Sequence, residues 1–274
     1  MDPATAAVLG VVQGLTEFLP ISSDGHLALA AFAFGELELS LTMVVVLHTG
    51  TLLATLLVFG RDLWALTRSL ASGLRAPRSY LGTVHGKLLV SIVVASIPTA
   101  IVGLVLHDAV EPLARIPWVV GACLLGSALA VGSTRWSAGG DKDSLSWHHS
   151  LLVGLAQGLA VLPGLTRSGS TIAVAMLLGM GGPAAFRYSF LLSIPAVAGA
   201  TALELAKPGA LSGLGSEALV GGGVSFVVGL GALLGLRALV SRGRFWTFAL
   251  YLVPLGVGLI AWQVAWQVAW QWVR

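Results

Sequence analysis

Six apolar stretches of this chain lie near 41–59, 88–106, 117–134, 187–206, 218–236 and 246–266. Each approaches the roughly 20 residues that a helix needs to cross the hydrocarbon core of a bilayer. Two further apolar regions, 4–34 and 150–180, are interrupted by the polar, Gly- and Pro-bearing stretches "LPISSDGH" and "LPGLTRSGS". Backbone broken at membrane depth is tolerated only where protein buries it or where it lines a watery cavity. The pattern predicts an all-α polytopic membrane protein with about six transmembrane helices and two re-entrant helix hairpins.

The two interrupted regions resemble each other. "QGLTEFLPISSDGH" from Gln13 aligns with "QGLAVLPGLTRSGS" from Gln157 at an offset of 144, with Gly25 over Gly169 and Ser22 over Thr166. The prolines fall one position out of step. Three spans follow each hairpin, and an odd number of spans inverts the second copy. The chain is therefore expected to be one membrane domain, 1–274, of two inverted repeats, about 1–135 and 145–274. In such repeats the site sits near the midplane, where the broken segments meet.

Cation placement orients this topology. Loops 60–87, 135–149 and 237–244 carry Arg61, Arg68, Arg75, Arg78, Lys87, Arg135, Lys142, Arg237, Arg242 and Arg244, ten of the 15 Lys and Arg. The opposite loops 107–116 and 207–217 and the C-terminus carry Arg115, Lys207 and Arg274. The richer side is predicted cytoplasmic, which puts both termini outside.

Composition narrows the classes. The chain is 56% hydrophobic and 10% charged, with mean hydropathy +0.91. Soluble proteins carry about 25% charged residues, so a soluble fold is excluded. The net charge of +3 is spread over short loops and gives no reason to expect nucleic acid. Cys123 stands alone in "VVGACLLGSALA" and reads as a small packing residue. The start "MDPATAAVLGVV" lacks the basic stretch of a cleaved signal peptide. The ending "AWQVAWQVAWQWVR" is rich in Trp and reads as an interfacial anchor.

Chemistry concentrates at the two breaks. The first offers Gln13, Glu17, Ser22, Ser23, Asp24 and His26; the second offers Thr166, Arg167, Ser168, Gly169, Ser170 and Thr171. Gln13 and Glu17 share a helix face and suit a hard divalent cation. His26 lies three residues beyond Ser23, in reach to act as its base or as an acid. Arg167 presents a fork that fits phosphate oxygens, and Gly169 lets backbone N–H groups approach an anion. Such a set suits phosphoryl transfer, where positioning and charge neutralisation do most of the work. Plainer readings stand beside it. His48 reads as packing or as site with equal ease. Ser and Thr in apolar helices commonly bond backbone. Asp108 and Glu111 read as a solvated outer loop with Arg115. Arg167 needs an anionic partner, and Glu17 could supply one as a purely structural ion pair.

"QGLTEFLPISSDGHL" resembles the first signature of the undecaprenyl-diphosphate phosphatases, the bacitracin-resistance family, and "LPGLTRSGSTIA" resembles the second. "VVLHTGTLLATLLVF", "SIPTAIVGLVLHD", "RYSFLLSIPAVAGATALEL" and "FALYLVPLGVGL" are similar to family segments in family order. The resemblance implies interlocking inverted repeats, six spans and two re-entrant pairs. It implies hydrolysis of undecaprenyl diphosphate to the monophosphate and phosphate on the outer side of the bacterial plasma (inner) membrane. That reaction recycles the carrier lipid for peptidoglycan, and bacitracin sequesters its substrate. The resemblance implies support by a divalent cation, Mg²⁺ or Ca²⁺, that arrives with the substrate. It makes Glu17 the essential carboxylate and metal contact. Ser23 becomes the nucleophile or phosphate-binding serine, His26 the signature histidine and Arg167 the pyrophosphate-binding arginine. Gln13, Ser22, Asp24, Thr166, Ser168 and Gly169 become substrate-binding. Asp24 departs from the Thr expected there, and Gln13 removes a second acidic ligand. The expected partners are a polyprenyl diphosphate and membrane lipids; the sequence leaves room for a homodimer without specifying one. Broken helices and inverted repeats also describe transporters, so movement of the lipid monophosphate across the membrane is the competing reading.

Overall fold

The computed structural model describes residues 1–33, 41–137, 140–207, 209 and 215–272. Among these, every regular element is helical, apart from one isolated bridge between Lys142 and Met180. The first interrupted region forms α1 (Pro3–Thr16) and α2 (Ser23–Ala33). α3 (Leu41–Val58), α4 (Gly60–Gly73), α5 (Pro77–Tyr80), α6 (Val84–Ala114) and α7 (Pro117–Ser133) follow. The second interrupted region forms α8 (Trp147–Leu159) and α9 (Arg167–Leu177). α10 (Gly182–Leu205), α11 (Ser216–Ser241) and α12 (Ala249–Trp272) complete the chain.

All six expected spans appear as α3, α6, α7, α10, α11 and α12. Five stretches are long and apolar enough to cross by themselves; α3 passes the same test only when taken together with α4, from which a 68° bend separates it. At 1.5 Å per residue, the 18 residues of α3 rise about 27 Å, close to the hydrocarbon thickness. The chain is a multi-pass membrane protein.

Two differences from expectation have simple causes. Segment 60–87 is not a plain loop. Its apolar positions Leu63, Leu66 and Gly73 recur at helical spacing and face inward, which folds α4. Segment 107–116 is not a loop either, because α6 continues to Ala114 and carries Asp108 on its last turns. The side chain of Glu111, the side chains of the last three Trp and Arg274 lie outside the described residues.

Packing interleaves the two regions. α1 and α3 lie along α11, α8 lies along α6, and α7 pairs with α12. Small residues make this possible, as they do wherever membrane helices touch closely. A Cβ on Gly10 of α1 would stand 2.5 Å from the Gly221 carbonyl of α11. One on Gly154 of α8 would stand 2.0 Å from the Ala95 carbonyl of α6. These contacts bring both breaks into the interior. A cluster of Phe18, Phe59, Phe186 and Phe190 packs beneath the first break, with ring centroids 4.8 to 6.0 Å apart, and fixes the chain next to Glu17.

Candidate active site

The first break begins where α1 ends. Pro20 cannot continue a helix, yet the Glu17 amide still donates to the Gln13 carbonyl at 2.9 Å. Glu17 is therefore held as the helix's C-cap, directed by a regular turn. Ser22 turns the chain with φ +72°, a left-handed conformation uncommon for a residue with a side chain. α2 then starts at Ser23. The second break runs from Ala160 to Leu165, and α9 starts at Arg167. The breaks touch: the Gly164 amide donates to Ser22 Oγ at 3.2 Å. Ser127 of α7 braces the second break, accepting from the Thr166 amide at 2.9 Å and donating to the Gly164 carbonyl at 3.1 Å.

Glu17 is the centre of the site. Arg167 Nη2 donates to its Oε1. Ser23 Oγ donates to its Oε2 at 2.8 Å, and Gln13 Nε2 donates to the same oxygen at 3.1 Å. The Glu17 side chain is 5% exposed and the Arg167 side chain 26%, so the guanidinium still reaches open space. That space is a narrow cleft whose enclosed volume is only about 10 Å³, lined by Glu17, Arg167 and Ser168 with Thr51 and Thr55 of α3 and Ser189 and Ser193 of α10. Thr171 is buried at the base of α9, its hydroxyl bonded to that of Ser189.

The structure gives four of the expected residues other partners. His26 does not bond Ser23. Its Nδ1 meets the Ser22 carbonyl at 2.8 Å and its Nε2 meets the Tyr251 hydroxyl of α12 at 2.7 Å, because the turn of α2 carries the ring outward. The imidazole at the carboxylates is His48, whose Nε2 lies 3.8 Å from Glu17 Oε2 and 4.0 Å from Asp24 Oδ1. Its Nδ1 lies 2.9 Å from the Val44 carbonyl. A carbonyl only accepts, so Nδ1 carries the proton. Thr166 is not presented to a ligand. It caps α9, accepting from the Gly169 amide at 2.7 Å, which occupies the N–H that Gly169 was expected to offer. A Cβ at Gly169 would stand 2.1 Å from Thr166 Oγ1 and 3.1 Å from Pro20 Cβ, so this glycine makes room first for the cap and then for close packing of the two breaks. Ser22 likewise spends its hydroxyl on Gly164.

Gln13 lies beside Glu17, its Nε2 donating to the carboxylate. It is fully buried and its Oε1 has no partner. Flipping the amide would set that oxygen against the Glu17 carboxylate, so the orientation is chemically constrained. Asp24 is 61% exposed. With His26 it borders a second, apolar cavity of about 160 Å³, walled by Val120, Leu124, Leu255 and Trp262. Sequence reasoning missed Tyr251 and the α3 and α10 hydroxyls, which carry no local signature. The cap at Thr166 was legible, since Thr before a helix is a standard N-cap signal.

These features define a class: a polytopic helical membrane protein with a buried carboxylate, a guanidinium and hydroxyls gathered where two broken helices meet. The model of the family described as "Bacitracin resistance protein BacA" matches residues 6–258, and the chain belongs to that family. It is 43% identical over 273 residues to a protein of Desulfosudis oleivorans named undecaprenyl-diphosphatase, covering 96% of this chain and 98% of the relative. A relative of the same name from Korarchaeum cryptofilum is 40% identical, with 95% and 99% covered. One from Mycolicibacterium smegmatis is 36% identical, with 93% and 94% covered.

Proposed function

We propose that this chain hydrolyses undecaprenyl diphosphate to undecaprenyl phosphate and inorganic phosphate, recycling the carrier lipid for peptidoglycan and conferring bacitracin resistance. The observation that carries this reading is the convergence of Ser23 and Arg167, from separate breaks, on one buried carboxylate beside a hydroxyl-lined cleft. The names of the full-length relatives favour hydrolysis over lipid transport.

In this reading the diphosphate binds at the mouth of the polar cleft, against the partly exposed Arg167, and the prenyl chain lies along the apolar cavity. Arg167 pairs with phosphate oxygens through the donors that Glu17 does not use. Ser23 Oγ, or a water in its place, attacks the terminal phosphorus. The P–O bond to the bridging oxygen breaks and undecaprenyl phosphate leaves; after serine attack a water then hydrolyses the phosphoserine, releasing inorganic phosphate and restoring the Ser23 hydroxyl, whereas water attack gives inorganic phosphate directly. Glu17, already 2.8 Å from the Ser23 hydroxyl, accepts its proton; His48 Nε2 lies 3.8 Å from the same carboxylate. Residues Glu17 and Gln13 Oε1 suit a divalent cation, Mg²⁺ or Ca²⁺, brought by the substrate. Among the described residues no group of three His, Cys, Asp or Glu is arranged to hold one unaided. Bound there, the cation supplies neutralisation of phosphate charge.

The reading extends to the bacterial inner membrane, with the site opening outward as the cation bias of the loops indicates, and to inverted halves at about 1–135 and 145–274. The partner exchange of α1 with α11 and α8 with α6 supports those halves.

The test is phosphate release from a long-chain prenyl diphosphate by purified protein, with Mg²⁺ or Ca²⁺ and with EDTA. Cation-dependent release is expected. No release from well-folded protein under any cation would sink the reading. Trapping labelled phosphoserine would establish serine attack, whereas a Ser23→Ala variant that keeps most of its turnover would assign the attack to water.

A further inference from the structure

α4 carries a surface that catalysis does not use. Its one carboxylate, Asp62, is held by Arg187 of α10, with Nε and Nη2 at 2.7 and 2.6 Å from Oδ1. That pair clamps the helix to the core and leaves its outer face purely cationic. Arg61, Trp64 and Arg68 recur at three- and four-residue spacing, so they share that face. All three are exposed, Trp64 at 69%. Arg75, in the turn that follows, is exposed as well. Leu66, on the opposite face, is buried. The helix departs from the α3 span by 68°, so it runs across the end of that span and not along it.

An indole next to guanidinium forks, on a helix lying beside a membrane span, matches the level of lipid headgroups. The ring suits the interface, and the forks suit phosphate oxygens. We propose that the Arg61–Trp64–Arg68 face of α4, extended by Arg75, is a binding surface for the headgroups of anionic phospholipids. Positive charge without a neighbouring carboxylate selects anionic over zwitterionic headgroups. The surface rests on the membrane-spanning fold and is independent of the phosphatase reading.

The test uses full-length protein reconstituted in nanodiscs of equimolar phosphatidylglycerol and phosphatidylcholine. Lipids retained after gentle extraction are counted by native mass spectrometry. Wild type is expected to retain phosphatidylglycerol several-fold over phosphatidylcholine. Arg61→Gln/Arg68→Gln/Arg75→Gln is expected to abolish that preference while keeping the wild-type thermal midpoint. Trp64→Ala is expected to lower retention of both lipids with the preference intact. Arg242→Gln/Arg244→Gln, which removes two exposed cations after α11, is expected to change nothing. Equal retention of the two lipids by wild type overturns the proposal, as does wild-type preference in the triple variant. So does an equal loss in the Arg242/Arg244 control, which would mean diffuse charge and no surface on α4.

Discussion

The two breaks share a scaffold and differ in chemistry. At matching positions 144 residues apart, Gln13 and Gln157 are both buried, each with an unpartnered Oε1. Gly10 and Gly154 both sit against a carbonyl of the other region. Ser23 and Arg167 both open a short helix of 11 residues, and both donate to Glu17. Yet the position matching Glu17 is Val161. Gln157 Nε2 turns instead to Thr99 at 3.3 Å. One region supplies the anion and the other the cation, so the site exists only where they meet. The packing contacts recur at an offset of 144 residues, and the charged pair does not.

The sharpest way to break this comparison is to remove one side of the pair. Glu17→Gln and Arg167→Gln are each expected to cut phosphate release by roughly 10²–10³, the cost typical of losing one preorganised charge or donor from a site. The double variant should lose little more than either single one, because the two side chains act as a unit. Additive losses would separate their roles.

Next comes the frame. Gly10→Ala and Gly154→Ala should each destabilise by about 1–3 kcal/mol through overpacking against backbone, read as a lowered thermal midpoint. A large loss in one and none in the other would end the structural equivalence. Val161→Glu puts a carboxylate at the matching place in the second region. Without an arginine to meet it, a cost of about 1–3 kcal/mol is expected, with no new activity. The smallest effect concerns the turn. Ser22→Gly relieves the strained φ of +72° but loses the bond to Gly164. These oppose each other at about 1 kcal/mol apiece, so the midpoint should barely move, whereas Ser22→Val should lower it clearly.

Much of the fold was legible. The six spans appear where hydropathy put them, and both breaks fall at "LPISSDGH" and "LPGLTRSGS". α4 was missed because its arginines outweigh a helical stripe of Leu63, Leu66 and Gly73. Gln13, Glu17, Ser23 and Arg167 were singled out in sequence and do gather in space. His26 and His48 were harder. His26 lay near Ser23 along the chain, but a helical turn rotates its ring toward Tyr251, 225 residues away.

The sequence by itself determined the membrane class, the position of the apolar helices and of the breaks, and the residues worth watching. Those follow from sums over neighbouring residues: hydropathy over a span's length, and the helix-breaking chemistry of Pro and Gly. Only the tertiary structure decided that Glu17 faces Arg167 across 150 residues, that His48 stands at the carboxylates and His26 does not, and that Thr166 and Gly169 close a cap. Side-chain direction at a break depends on how distant helices pack, and no local sum contains that information.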